Sequence, residues 1–138
     1  MPLKLKKGIK EMVAEANQEI ETITAREAIA HKDAPDFVLV DLRDIRELNR
    51  DGRVPGAFHA PRGMLEFWVD PESPYYKEIF GSGKKFAFFW AGGMRSALAA
   101  QTVQRMGLEP VCHIEGGFHA WQEAGGPVEG GKSGDNQR

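Results

Sequence analysis

Residues 85–96 read Lys-Phe-Ala-Phe-Phe-Trp-Ala-Gly-Gly-Met-Arg-Ser, and their reading decides the fold. Phe86 to Trp90 is an unbroken apolar run. Such a run suits a strand buried on both faces, as in a parallel sheet. Ala91-Gly92-Gly93 then turns the chain, and Met94 to Met106 follows as a helix with Leu98, Val103 and Met106 among its apolar positions. Successive amides in a strand–glycine turn–helix junction can point into one concavity, and the helix dipole adds positive potential there. Gly92 and Gly93 permit close backbone approach. Arg95 offers a two-pronged guanidinium to an oxyanion. Trp90, Ala91, Gly92, Gly93, Met94, Arg95 and Ser96 therefore form a candidate anion-binding loop. A plain structural turn beside a surface arginine has the same local appearance.

The same alternation extends outward in both directions. Asp36 to Asp41 and Pro110 to Glu115 are further buried-strand patterns, and Ile20–Thr24 and Ala57–Ala60 are shorter strands. Thr24 opens a helix, with Glu27 at capping-box spacing. Asp44 to Asp51 and Phe118 to Ala124 are short helices, the second entered through Gly116-Gly117. Met64, Leu65, Phe67 and Trp68 suggest one or two helical turns before Pro71 and Pro74 enforce loop. Alternating strands and helices give a mainly parallel sheet with helices on both faces. Ligands of such folds bind at the carboxyl ends of the strands. Ahead of this unit, Leu5, Ile9, Met12, Val13, Ala16 and Ile20 mark one face of an amphipathic helix of about four turns. It docks on its own domain, or else serves a partner or a second copy. The expected organisation is a helix in 1–20, a domain in 21–127 and a flexible glycine-rich tail in 128–138.

Composition narrows the function. The 138 residues suit one domain. Eighteen basic against twenty acidic side chains leave a net charge of −2, with no basic excess to attract nucleic acid or a membrane surface. A single cysteine, Cys112, excludes an intrachain disulfide and a paired-cysteine zinc site. His59, His113 and His119 show no metal-ligand spacing, so neither metal nor cofactor is expected. The N-terminal apolar residues are interrupted by charges, unlike a signal peptide, and no run reaches the ~18 residues of a membrane helix. The expectation is a soluble cytoplasmic protein.

Three motifs together resemble the rhodanese-like family of sulfurtransferases. Asp41-Leu-Arg43, Glu47 and Gly52-Arg-Val-Pro-Gly-Ala57 resemble its first signature. Trp90 to Ser96 is similar to its catalytic loop, cysteine-x-x-glycine-x-arginine-serine, except at the first position. Ile114-Glu-Gly-Gly-Phe-His-Ala-Trp121 is similar to its closing segment. The resemblance covers about residues 21–127 and implies a three-layer sandwich with a five-stranded, mainly parallel sheet, here with an extra N-terminal helix. It implies sulfur transfer through a loop cysteine that becomes a persulfide, and a supporting role for Asp41, Arg43 and Arg53. Trp90 stands where that cysteine belongs, and Arg53 where the first signature carries histidine.

Indole has no thiolate and cannot form a persulfide. The expected function is therefore an anion- or protein-binding, regulatory rhodanese-like module without cysteine-persulfide chemistry. Its partner would be a small anion at the loop or another protein. A sulfurtransferase working through Cys112 is one alternative, although Cys112 lies inside a strand. A tyrosine-phosphatase-like enzyme is another, although such enzymes also need the loop cysteine. Ser96 has no evident base unless the fold brings one of the histidines close. Phe67 and Trp68 either wall the cleft or simply cover the core.

Overall fold

The computed structural model describes residues 2–131. Its order is α1 (Ile9–Glu19), β1 (Glu21–Ile23), α2 (Ala25–His31), β2 (Phe37–Asp41), α3 (Ile45–Asp51), β3 (Phe58–His59), α4 (Leu65–Val69), β4 (Lys85–Phe89), α5 (Met94–Met106), β5 (Val111–Ile114) and α6 (Gly117–Glu123). Short 3-10 turns occupy Arg62–Met64 and Glu78–Gly81. The five strands lie in the order β1-β5-β4-β2-β3, and every neighbouring pair is parallel.

Strand parity builds two cores. Phe86 and Phe88 of β4 and Val40 of β2 face α1, α4 and α5, where Ala16, Leu65, Ala97, Ala100 and Val103 close over them. Ala87, Phe89, Leu39, Cys112 and Ile114 face the other way, beneath Ala25, Ala28, Phe118 and Trp121. Helices on both faces explain why β2, β4 and β5 read as unbroken apolar runs. The helix starts obey their chemistry. Thr24 with Glu27, and Asp44 with Glu47, each form a reciprocal capping box. Gly93 begins α5 without any side-chain cap.

The N-terminal helix is shorter than its periodicity predicts. It starts at Ile9, after Gly8, and Leu5 lies outside it and exposed. Periodicity records which way residues would face, but a turn with no surface to cover gains little from being helical. Ala16 and Ile20 are buried, whereas Ile9 and Met12 face solvent. Docking is on the helix's own domain. Glu19 accepts from Gln101 at 3.0 Å and from Arg105 at 2.8 Å, both on α5.

At the other end, Arg53 and Glu129 exchange two backbone hydrogen bonds of 2.9 Å in an antiparallel bridge. The chain is thus held two residues beyond Pro127, inside the stretch read as a flexible tail. Residues 132–138, which complete that expected tail, lie outside the described residues. No helix among the described residues is long and apolar enough to cross a membrane.

Candidate functional site

Chain connections leave β2 toward β3 on one side and β4 toward β5 on the other, so β2 and β4 flank the switch point of the sheet. The loop 90–93 leaves β4 there, beside the turn from β2 into α3. A cavity of about 560 Å3 opens at this place, lined by Leu42, Asp44 and Pro61 with Arg46, Arg62, Trp90 and Arg95 among others. A second cavity of about 410 Å3 adjoins it over Trp90, Ala91, Gly92, Gly93, Met94 and Arg95. The structure therefore brings the whole candidate loop except Ser96 to the walls of one cleft.

The loop is held from behind. Trp90 O accepts from the Phe118 amide at 2.7 Å, and Ala91 O accepts from the His119 amide at 3.2 Å. Gly117 makes this approach possible. Its φ is +58°, and a β-carbon there would collide with the carbonyl oxygens of Trp90 and Gly92. With the carbonyls fastened to α6, the amides of Ala91, Gly92, Gly93 and Met94 donate to no protein acceptor among the described residues. Unsatisfied amides at the start of a 13-residue helix form an anion-attracting feature.

Trp90 is half-buried against the α1/α4/α5 core. Its ring carries the Arg95 guanidinium, whose Cζ lies 4.7 Å from the ring centroid. Arg95 is exposed and makes no ion pair among the described residues. Its charge remains available to a ligand.

Asp41 and Arg43 support the site from below. Arg43 donates from its amide and Nε to Asp41 Oδ1, each at 3.0 Å, and from Nη2 to Asp41 Oδ2 at 2.7 Å and to Gly52 O at 2.9 Å. Its Cζ sits 4.0 Å from the Phe118 ring centroid. The pair is buried and lines neither cavity, so it ties the end of β2 to the turn at Gly52 and to α6. Arg53 is not brought to the site. Its side chain is exposed and reaches Asn49 Oδ1 at 3.3 Å, while its backbone makes the bridge to Glu129. Phe67 and Trp68 line neither cavity. Phe67 packs edge-on against Tyr75, and Trp68 against Phe58.

Ser96 lies in a network that the sequence did not disclose. Its Oγ is 3.0 Å from His113 Nδ1, and His113 Nε2 is 3.0 Å from Asn17 Oδ1 and 3.1 Å from Thr22 Oγ1. Burial pushes the His113 pKa below its usual range, which favours the neutral ring. The Ser96 hydroxyl donates its one proton to Gly93 O at 3.2 Å, so its oxygen meets the ring through a lone pair. Serine, histidine and amide in a row invite a nucleophilic reading. Ser96 is fully buried, however, and lines neither cavity. The network instead ties the first turn of α5 to β5, β1 and α1. Parity could have found it, because His113 shares the sheet face of Val111 and so points toward α5.

Cys112 points to the opposite face, beneath α2 and α6. Burial pushes its thiol up to about 12, so the thiolate needed for sulfur chemistry is scarce at neutral pH. No group of three or more His, Cys, Asp or Glu side chains among the described residues is arranged to hold a metal ion.

Comparison with known proteins agrees with this geometry. A structure from Rhodopseudomonas palustris, of a protein of unknown function described as a possible tyrosine phosphatase, is 60% identical, with a TM-score of 0.90 over 94% of this chain and 99% of that one. The polysulfide-sulfur transferase homodimer of Wolinella succinogenes is 27% identical, with a TM-score of 0.68 over 89% of this chain and 88% of that one. Thiosulfate sulfurtransferase/rhodanese-like domain-containing protein 3 of Mus musculus is 25% identical over 104 residues, 72% of this chain and 66% of the mouse protein. The rhodanese-like domain family matches residues 24–124, from the cap of α2 to the end of α6, and so takes in the sheet from β2 onward and the whole loop. On that match, the chain belongs to the rhodanese-like domain family.

Proposed function

We propose that this rhodanese-like domain binds an anion at the 90–96 loop and works as a binding or regulatory module, without cysteine-persulfide chemistry. The observation that carries the reading is Trp90. At the end of β4, where the family resemblance places a nucleophilic cysteine, the loop presents an indole covered by Arg95. The amides behind it have no protein acceptor among the described residues, which supports reading the loop as an anion cradle. An anion carried on a partner protein suits the same loop. The exposed Ile9 and Met12 on α1 offer a place for a second copy to meet it. One buried thiol with a raised pKa fits a reducing, cytoplasmic setting.

Sulfur transfer through Cys112 is disfavoured by its burial and by its place on the sheet face away from α5. Phosphate monoester hydrolysis is the reading raised by the description of the Rhodopseudomonas palustris relative. It calls for a loop nucleophile, and Ser96, the loop's one hydroxyl, is turned inward to His113.

A cyanide-dependent thiosulfate assay tests the proposal. The chain is expected to give no turnover above background, while Trp90→Cys, incubated with thiosulfate, gains one sulfur atom in intact mass. Turnover by the unaltered chain that disappears in Cys112→Ala would overturn the reading. Failure of Trp90→Cys to take up sulfur would mean that the loop is no competent cradle.

A further inference from the structure

Two cavities meet at the Trp90 indole. One lies over the loop amides, and the other contains Arg46, Arg50, Arg62 and Arg95 against the carboxylates of Asp44 and Glu47. Trp90, Arg95 and Glu47 line both. The positive charge in the second cavity comes from guanidiniums alone, whose planar forks match the oxygens of phosphoryl groups.

Arg46 and Arg62 are held loosely. Arg46 pairs with Asp44 at 3.2 Å, Arg50 with Asp51 at 2.7 Å and Arg62 with Glu66 at 2.7 Å, all with side chains about a third exposed or more. Exposed pairs of this kind contribute little and yield to a ligand of higher charge. Arg95 stands between the two cavities with its charge unpaired among the described residues. The indole beneath it is an uncharged partition. A single small anion on one side of that partition leaves the other side empty, whereas linked anionic groups can occupy both.

We infer that the cleft takes a linear polyanion of linked phosphoryl groups, one end on the loop amides and the other among Arg46, Arg62 and their neighbours, with Arg95 between. This rests on the reading of the loop as an anion cradle and adds the ligand class. Linking makes the second contact intramolecular, so affinity rises with chain length once both cavities are reached.

The test is calorimetric titration of the full chain with orthophosphate, pyrophosphate, tripolyphosphate and citrate at constant ionic strength. Tripolyphosphate is expected to bind at least about tenfold tighter than orthophosphate. In the Arg46→Ala/Arg62→Ala variant, checked for native circular dichroism, that ratio is expected to collapse toward unity. Equal affinities for the three phosphates, or a ratio unchanged in the variant, would overturn the inference. Citrate matching tripolyphosphate would overturn the phosphoryl assignment. Orthophosphate binding without any gain in chain length removes the second subsite and leaves the loop cradle standing. Absence of binding by all four anions removes both readings.

Discussion

Arg43 and Arg95 follow the ends of neighbouring strands, and each lies over an aromatic ring, Phe118 for one and Trp90 for the other. Their fates are opposite. Arg43 is 1% exposed and spends its donors on Asp41 and Gly52. Arg95 is exposed, has no carboxylate partner among the described residues, and borders both cavities. One cation became a structural strut because Nε and Nη2 found buried acceptors on Asp41 and Gly52, although its Nη1 is buried without a hydrogen-bond partner. The other stayed in water, without a carboxylate partner among the described residues. A guanidinium on an aromatic face therefore says little about function until its burial is known.

The sharpest way to break this comparison is Arg43→Ala. It leaves the Asp41 carboxylate buried without its cation and is expected to cost about 3–5 kcal/mol, read by urea denaturation. A loss near that of an ordinary surface substitution would mean that the pair is not a strut. A smaller effect is expected at His113, another buried polar group. His113→Gln should cost about 1–2 kcal/mol through lost hydrogen bonds to Ser96, Asn17 and Thr22. It should also change the acid limb of stability. The folded pKa of His113 lies below its ordinary 6.5, so as pH falls below 6.5 the unfolded chain takes up the proton first and stability declines. Above 6.5 this contribution is complete. The variant should flatten the slope between about pH 6.5 and 5, and an unchanged slope would place the titration elsewhere. The smallest stability effect is expected from Arg95→Ala, within about 0.5 kcal/mol. The same substitution should nonetheless weaken anion binding at the loop, read by the same titration with orthophosphate. A large stability loss there would put Arg95 in the class of Arg43.

Much of the fold was legible because its cues are local. The apolar runs of β2, β4 and β5, the capping boxes at Thr24 and Asp44, and the span of α5 were all readable residue by residue. The loop was legible for the same reason, since strand, glycine turn and helix are contiguous. What is not legible depends on distant neighbours. The first turn predicted for α1 has no packing surface, and the stretch after Pro127 is caught by Arg53. Arg53 itself was linked to the site through a motif, yet its side chain turns toward Asn49. Ser96 seemed to lack a basic neighbour because His113 is 17 residues away and arrives only when β5 pairs with β4.

By itself, the sequence determined the alternation that makes a parallel sheet with helices on both faces. It also determined that the chain's one thiol stands away from the loop, with an indole at the loop's first position. Those properties are set by residue type and spacing, which need no partner to be read. Tertiary structure decided which cations are struts and which are free, that Cys112 faces α2 and α6 while its neighbour His113 faces α5, and that two cavities adjoin at Trp90. Burial, strand parity and the docking of α6 on the loop carbonyls are relations between distant residues, and they exist only once the sheet has closed.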